Sequence, residues 1–267
     1  MVRDNWVKSL GLDPDGSLFV EIDIGMRLHD FCLDHPIQGA VPIQPEELMR
    51  AENRQLYFRF LTTLNEISSV LFGSAYDEGH EFKEGEVVVD AGARIGAFTA
   101  KASRAVGSAG RVIAVEPEPR SYALLRKNIE VNRLNNVVPI RKMLWSAAQP
   151  VELYLSGNAA SHSAYFDGFY GPTGETTVCE AATLDSILEE LGIGRVDFVK
   201  MDIEGAEIEA LKGMSRILQS GVELAIAAYH PVNGTPTNSV LIPELERLGF
   251  EVIYSQGIVR ALCEKAP

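Results

Sequence analysis

The chain has 267 residues, 46% of them hydrophobic, and a formal net charge of -13 at pH 7. This size and apolar content suit one α/β domain with an extra N-terminal piece rather than two full domains. The acidic excess would repel a phosphate backbone or an anionic membrane surface, so neither nucleic acid nor a membrane is expected as a partner.

The cysteines and the apolar runs predict the redox state of the thiols and the location of the protein. Cys32, Cys179 and Cys263 are widely spaced and contain no C-x-x-C pair, so they predict reduced thiols rather than a disulfide framework. The N-terminus lacks the apolar core of a signal peptide, and no run approaches the ~18 residues of a membrane span. We therefore expect a soluble, cytoplasmic protein.

The first part of the chain predicts a small extension. Ser17 to Leu28 alternates apolar and polar side chains around a turn at Gly25, which indicates a hairpin. Apolar residues recur at helical spacing from Pro45 to Leu71. We divide the chain into an N-terminal extension of hairpin and helices over 1–80 and a main domain over 81–267.

A polar loop from Gly73 to Glu86 leads into the main domain. Its side chains Tyr76, Glu78 and His80 are candidates to contact a ligand, although solvated loop residues are the commoner outcome.

The central stretch, Val87 to Thr99, reads VVVDAGARIGAFT and predicts a buried strand, a glycine loop and a helix. Asp90 falls at the end of the strand, Gly92 permits a tight turn, and Gly96 permits close approach of a ligand or helix. Such a loop is typical of nucleotide-cofactor sites. A nicotinamide cofactor is disfavoured because Arg94 occupies the position of the second glycine in the G-x-G-x-x-G fingerprint.

The next two strands supply further candidates. After the helix Ala97 to Val106, the strand in RVIAVEPEP ends at Glu116, whose carboxylate can accept hydrogen bonds from both ribose hydroxyls. The alternative is a solvated acid that favours the N-terminus of the following helix, Arg120 to Asn132. A strand from Val137 to Leu144 follows, and Met143, Leu144 and Ser146 at its end include no acid.

A strand from Val151 to Ser156 precedes a long connection over 157–176 that is rich in glycine, serine and aromatic residues. Connections of this length often bind ligands. The candidates to line a substrate pocket are His162, Tyr165, Phe166, Phe169 and Tyr170, and packing within an ordered hairpin is the alternative explanation.

The second informative stretch, Val196 to Gly213, follows a helix for which Thr183 is the expected N-cap. Its strand ends at Asp202, and a helix begins near Gly205. Three carboxylates, Asp202, Glu204 and Glu207, therefore gather at the carboxyl end of a sheet strand, where open parallel sheets bind ligands. For the two glutamates, complementing the helix dipole is the alternative role.

The last section predicts a buried strand from Val222 to Tyr229, a helix from Ser239 to Leu248 and a terminal hairpin of Phe250–Tyr254 with Ile258–Cys263. His230 follows the buried strand and joins the same rim as the acids. It is a candidate for either a structural or a functional role.

Taken together, these stretches resemble the FkbM-type family of class I methyltransferases, which use S-adenosylmethionine (AdoMet). The resemblance covers Gly85 to Leu218 and rests on VVVDAGARIGAFT, VIAVEPEP, the spacing of Asn128 and Asn132, TLDSIL and above all FVKMDIEGAEIEALKG. One departure is Arg94, at a position where the family usually has asparagine.

The resemblance implies a fold and a cofactor site. The fold is a Rossmann-like α/β sheet, mostly parallel with seven strands, a terminal antiparallel hairpin and helices on both faces. The implied AdoMet-binding residues are Asp90, Gly92, Ala93, Gly96, Thr99, Glu116, Met143, Leu144 and Asp202.

The implied reaction is O-methylation of a hydroxyl group on a small molecule, a glycoside or a polyketide-type natural product. Asp202, His230 and Glu204 are the catalytic candidates, with Asp202 or His230 as general base. Alternatively the same three side chains hold a divalent metal, although their spacing is not diagnostic. An AdoMet-binding regulatory or interaction protein and a nicotinamide-dependent oxidoreductase stay as alternatives, and the oligomeric state, with a homodimer as one option, stays open.

Overall fold

The computed structural model describes residues 7–32, 41–42, 63–65, 67–71, 73, 76–156, 162–165 and 172–263. The N-terminal part forms an antiparallel sheet of β1 (Val7–Leu12), β2 (Ser17–Ile22), β3 (Met26–Cys32) and β4 (Val41–Pro42), in the order β3-β2-β1-β4. The predicted hairpin is confirmed as β2 and β3, which pair across a turn at Gly25.

The main domain alternates strands and helices. Its strands are β5 (Val87–Ala91), β6 (Arg111–Val115), β7 (Val137–Ile140), β8 (Met143–Leu144), β9 (Gln149–Ser156), β10 (Pro172–Ala182), β11 (Phe198–Met201), β12 (Glu223–Ala227), β13 (Pro231–Val232), β14 (Thr235–Pro236), β15 (Phe250–Ser255) and β16 (Ile258–Cys263). Its helices are α1 (Ala97–Val106), α2 (Pro119–Val131), α3 (Leu184–Glu190), α4 (Glu207–Lys212), α5 (Ser215–Leu218) and α6 (Asn238–Arg247).

Seven strands form the central sheet, in the order β15-β16-β12-β11-β5-β6-β7. The pairs from β12 to β7 are parallel, whereas β16 pairs antiparallel with β12 and with β15. This confirms the predicted class I methyltransferase sheet with its terminal antiparallel hairpin. The inner strands are almost fully buried, and apart from Asp90 and Lys200 their buried side chains are apolar, because parallel strands are covered on both faces.

Helices cover both faces of this sheet. Along β5 the side chains alternate, so Val88 packs in one hydrophobic cluster with Phe98 and Leu125, whereas Val89 packs in the other with Leu188 and Leu211. The first cluster also contains the buried residues of the N-terminal sheet. Among the described helices, none is long and apolar enough to cross a membrane.

Two asparagines of α2 attach the N-terminal sheet to the main domain. Asn128 accepts hydrogen bonds from the His29 backbone N–H (2.7 Å) and donates to the carbonyls of His29 and Ile95 (both 2.8 Å). Asn132 accepts from the Arg27 N–H (2.8 Å) and donates to the Arg27 carbonyl (2.6 Å). The two amides are one helical turn apart, and they hydrogen-bond the N–H and C=O groups of alternate residues of β3. A neighbouring β-strand would make the same bonds.

Several predicted elements differ in extent. The strand expected over Val137 to Leu144 is divided into β7 and β8, and β8 belongs to a separate sheet of order β8-β10-β9. The connection expected over 157–176 ends earlier, because β10 begins at Pro172 and pairs with β9. The helix expected from Pro45 to Leu71 is helical at 63–65 and 67–71, and 45–62 lies outside the described residues.

Candidate active site

The carboxyl ends of β5, β6, β11 and β12 meet at one edge of the central sheet. A pocket opens there, lined by residues from both informative stretches and from the β8–β10 region: Gly92, Arg94, Val115, Glu116, Pro117, Lys142, Met143, Leu144, Leu153, His162, Ala164, Asp202, Ile203 and Glu204. The structure therefore brings the glycine loop, Glu116, the β8 residues and the acidic motif into one site.

The glycine loop lies directly against the turn after β11. Gly92 has φ 77°, and a Cβ placed there would lie 1.8 Å from the carbonyl oxygen of Asp202. Gly96 has φ 88° and begins α1, and a Cβ there would lie 2.7 Å from a methyl carbon of Leu125. Both glycines are required by close packing and by a left-handed backbone, and only Gly92 lines the pocket.

Asp90 and Thr99, both expected to bind the cofactor, lie fully buried beneath the loop. The Thr99 hydroxyl donates to Asp90 Oδ2 (2.6 Å), and Lys200 Nζ lies 3.0 Å from Asp90 Oδ1. Lys200 also donates to the carbonyl of Gly92 (2.7 Å). Burial alone would lower the pKa of Lys200, but Asp90 and Asp202 raise it above its usual value. In this structure the three side chains hold the loop from below.

Lys200 is the site residue that the sequence reasoning missed. It occupies the first position of the K-x-D sequence that ends β11, and it is only 5% exposed. A lysine inside a strand that is otherwise apolar was the available signal, since a buried ammonium requires a charged partner.

Arg94 adopts a left-handed conformation with φ 48°. Asparagine tolerates this region better than arginine does, so the position favours the residue that is usual in the family. The Arg94 backbone N–H donates to Glu116 (2.8 Å), and its guanidinium lies 3.2 Å from Asp30 of β3. The turn is therefore kept, and the substituted side chain is directed to the N-terminal sheet.

Glu116 stands in the pocket wall after β6 and is 7% exposed. Its carboxylate accepts hydrogen bonds from the backbone N–H groups of Arg94 and Glu118 (2.8 and 2.9 Å). Burial raises the pKa of Glu116 to about 7, although these two hydrogen bonds oppose the rise. An acid fixed in this way can accept bonds from a diol with its remaining lone pairs.

Beside Glu116 the wall is apolar. Met143, Leu144 and Leu153 are all buried and line the pocket with Pro117. An apolar slot next to a fixed carboxylate matches the chemistry of an adenosine group, whose base is flat and whose ribose carries two hydroxyl donors. The residues present therefore fit AdoMet, and the acids Asp202 and Glu204 in the same pocket suit its positively charged end.

Asp202, Glu204, Glu207 and His230 form a compact cluster on the rim. His230 Nε2 lies 3.5 Å from both Asp202 Oδ1 and Glu204 Oε2, and Nδ1 lies 2.9 Å from Glu207 Oε1. His230 is 2% exposed and Glu207 is fully buried, whereas Asp202 and Glu204 reach the pocket. The predicted convergence of the imidazole with the acids is therefore present in the structure.

The cluster shifts the ionisation of its members. Burial alone would lower the pKa of His230, but its carboxylate neighbours Glu204, Glu207 and Asp202 raise it to about 11. Burial also raises the pKa of Glu204, with Asp202 and Glu207 adding to the rise and His230 opposing it. Without further ligands, the imidazole is positively charged at neutral pH.

The loop before β5 contributes one residue to the site. Tyr76 donates its hydroxyl to Asp202 Oδ2 (2.6 Å), and its pKa is raised by burial and by the Asp202 charge. Of the other two candidates, Glu78 pairs with Arg260 (2.8 Å). His80 lies between Glu223 and Glu86 at the opposite end of the strands.

From the connection after β9, His162 lines the pocket and accepts a hydrogen bond from the Ser156 N–H (3.0 Å). Burial lowers the pKa of His162. Tyr165 lies against Gly205, which places it beside the acidic turn. Phe166, Phe169 and Tyr170 lie outside the described residues.

Comparison with known proteins identifies relatives of this chain. The family model for the methyltransferase FkbM domain matches residues 90–252. The chain is similar to the hexuronic acid methyltransferase AglP of Haloferax volcanii, with 29% identity over 152 residues that cover 56% of this chain and 58% of that protein. It is also similar to the methyltransferase sdnD of Sordaria araneosa, with 30% identity over 195 residues that cover 62% of this chain and 73% of that protein.

Solved structures are similar only at a distance. A fibrillarin from Aeropyrum pernix, solved with bound AdoMet, aligns with a TM-score of 0.48 at 14% identity over 98% of this chain and 100% of that one.

Proposed function

The chain belongs to the FkbM family of AdoMet-dependent methyltransferases, and we propose that it transfers a methyl group to a hydroxyl oxygen of a small molecule. The observation that carries the proposal is the joining of two half-sites in one pocket. Glu116 and the apolar wall of Met143 and Leu144 form the half that fits AdoMet, and Asp202 and Glu204 form the acceptor half.

Hydrogen bonds within the protein support the cofactor half. AdoMet, when bound, supplies an activated methyl group on a sulfonium centre. Glu116 would accept hydrogen bonds from the ribose hydroxyls, and Met143 and Leu144 would contact the base. The loop at Gly92, supported by Lys200, keeps its backbone at a constant distance from Asp202. Such rigidity favours methyl transfer, because an in-line displacement depends on holding the reacting atoms in line.

The acceptor half favours a neutral nucleophile. Asp202 and Glu204 place two carboxylates at the pocket surface, and these would repel an acceptor carboxylate more than an alcohol. An alcohol must also lose its proton during transfer, and a carboxylate within hydrogen-bond reach can take it.

Within the cluster we assign the proton acceptor to Glu204, with Asp202 as the adjacent acceptor. With a pKa of about 11, the imidazole of His230 already carries a proton at pH 7, so it serves to hold the carboxylates rather than to accept a further proton. The raised pKa of Glu204 makes it a stronger base than an ordinary carboxylate.

For the acceptor we propose a sugar hydroxyl on a glycoside or a hydroxyl of a comparable natural product. One relative is named a hexuronic acid methyltransferase, and the matched region spans 58% of its length. The acidic surface implied by a net charge of -13 disfavours polyanionic acceptors. The relative's name supports a sugar as the acceptor class. Because a hexuronic acid carries a carboxylate as well as hydroxyl groups, the preference for a neutral hydroxyl rests on the two pocket carboxylates and on the net charge.

The test is a product assay over an acceptor panel. The protein is incubated with AdoMet and separate pools of neutral glycosides, hexuronic acids, hydroxylated polyketides and short RNA, and demethylated cofactor and methylated product are measured by mass spectrometry. We expect O-methylated product from a hydroxyl acceptor. We also expect Glu204→Gln to lower kcat about 100-fold or more while changing the dissociation constant of AdoMet little.

Glu209→Gln is the matched control, because Glu209 lies on α4 directly after the acidic turn, contacts Ser146 and Lys212, and does not line the pocket. AdoMet binding by calorimetry with no product from any pool would favour the non-catalytic alternative. Methylation of a carboxylate or of RNA alone would overturn the assignment of a hydroxyl acceptor.

A further inference from the structure

The cluster at the rim contains an unsatisfied nitrogen. Among the residues that the structure describes, buried His230 Nε2 has no hydrogen-bond partner, and the same holds for Asp202 Oδ1, which it faces. A buried polar atom without a partner is costly, because it has given up its hydrogen bonds to water. Here two such atoms point at each other from the ends of adjacent parallel strands.

The separations in the cluster suit ligands around a shared ion. Nε2 lies 3.5 Å from Asp202 Oδ1 and 3.5 Å from Glu204 Oε2, which is longer than a good N–H···O hydrogen bond. Atoms bound to one ion at about 2.1 Å in tetrahedral or octahedral geometry lie about 3.0 to 3.4 Å apart. All three ligand atoms lie within 4.8 Å of one another, so small rotations of the carboxylates are sufficient.

The other ring nitrogen is held as it is in metal-binding histidines. Nδ1 lies 2.9 Å from Glu207 Oε1, which also accepts from the backbone N–H groups of Ile203 and Gly205 (3.1 and 3.2 Å). Because a carboxylate only accepts, Nδ1 carries the hydrogen and Nε2 faces the two acids. A carboxylate behind the imidazole fixes the tautomer and raises the basicity of a ligating histidine.

The charge balance favours a cation. Three carboxylates, Asp202, Glu204 and Glu207, surround one imidazole. One proton on the ring offsets a single negative charge, and Lys200 is already paired with Asp90. A divalent ion in place of that proton would leave the cluster closer to neutral.

We propose that Asp202 Oδ1, Glu204 Oε2 and His230 Nε2 bind one divalent transition-metal ion, of the class that includes Mn²⁺, Fe²⁺ and Zn²⁺. One imidazole with two carboxylates suits these ions better than Ca²⁺, which takes six to eight oxygen ligands, or Mg²⁺, which retains water and prefers oxygen. Glu207 is the supporting residue behind His230.

The location gives the ion a use. Asp202 and Glu204 line the pocket, so an ion between them has an open side toward the acceptor. An alcohol oxygen bound there would have a lowered pKa and would give up its proton to a carboxylate more readily. This use of the ion rests on the proposed methyl transfer, whereas binding of the ion does not.

The experiment measures ion binding without AdoMet or acceptor. The full chain is treated with a chelator, dialysed and titrated with Mn²⁺, and free Mn²⁺ is followed by electron paramagnetic resonance, with Zn²⁺ as competitor. We expect one site per chain that Zn²⁺ displaces and a tenfold excess of Ca²⁺ does not. Glu207→Gln is expected to weaken binding about 10–100-fold, and Glu204→Gln at least as much.

Glu209→Gln is the control and is expected to bind as the unmodified chain does. Circular dichroism establishes that each variant is folded. If a variant is unfolded, a Mn²⁺-dependent rise in the melting temperature of the unmodified chain, absent with Ca²⁺, provides the second measurement.

No binding, or equal binding in Glu204→Gln and Glu209→Gln, would overturn the site. The two proposals fail separately. Full methyl transfer after exhaustive chelation would refute the catalytic use of the ion and would leave the proposed methyltransferase activity intact. Specific Mn²⁺ binding without methyl transfer would refute the proposed activity and would leave the ion site intact.

Discussion

Lys200 gives the sharpest test of how the glycine loop is held. Replacing it with methionine keeps the length and apolar volume of the side chain but removes the ammonium. Asp90 has no exposed surface, and among the described side chains it then keeps the hydroxyl of Thr99 as its one partner, while the carbonyl of Gly92 loses the donor Lys200. The substitution therefore leaves a buried carboxylate uncompensated.

The structure sets the size of the effect. The Lys200 and Asp90 side chains are 6% and 0% exposed, so solvent does not screen their 3.0 Å contact. Breaking a buried pair by removing one partner costs about 3–5 kcal/mol. We expect Lys200→Met to lower the free energy of unfolding by this amount. Lys212→Met is the control, because Lys212 is 58% exposed beside Glu209 and should change stability by no more than about 0.5 kcal/mol.

Urea unfolding followed by circular dichroism measures both variants. Adding Asp90→Asn to Lys200→Met removes the stranded charge, so the double variant should lose less stability than the sum of the single variants. A loss below about 1 kcal/mol for Lys200→Met, or simple additivity in the double variant, would refute the reasoning that the pair holds the loop.

Two further predictions concern Glu116 and Asn128. Since ribose donors favour the ionised carboxylate and the pKa of Glu116 is about 7, AdoMet affinity should fall as the pH is lowered from 8 to 6, and Glu116→Gln should weaken binding and flatten that dependence in calorimetry. A pH profile unchanged in Glu116→Gln would contradict this. Asn128→Ala leaves the backbone of His29 and the carbonyl of Ile95 in the glycine loop without their partner, so thermal unfolding should show a loss of about 2–3 kcal/mol in the free energy of unfolding. An exposed-site control, Asn135→Ala, should show little change, and an equal loss in both would count against the bracing role of Asn128.

The central sheet was predictable because parallel strands covered on both faces leave uninterrupted apolar runs. Glu116, Asp202 and His230 each follow one of these apolar runs in the sequence. They were therefore predicted to lie at the same edge of the sheet, where the carboxyl ends of parallel strands meet. Sequence order and the short turns after these strands were enough to predict their convergence.

Other features depend on contacts that no local pattern records. Tyr76 reaches Asp202 across 126 positions of sequence. Strand β10 was missed because it is a polar, half-exposed partner of β9, with Val178 69% exposed, so its alternation carries little apolar signal. Asp90 was expected to contact the cofactor. Its ion pair with Lys200, which lies on the neighbouring strand, could not be read from the local sequence.

The contact between Gly92 and the Asp202 carbonyl also limits how the enzyme family can change. A substitution that adds even one carbon at Gly92 displaces the backbone that carries Asp202, so neither half-site can drift independently of the other. A change in acceptor preference is therefore expected to come from substitutions in the segments around the pocket, such as the one that contains His162 and Tyr165. It is not expected from substitutions at the contact between Gly92 and Asp202.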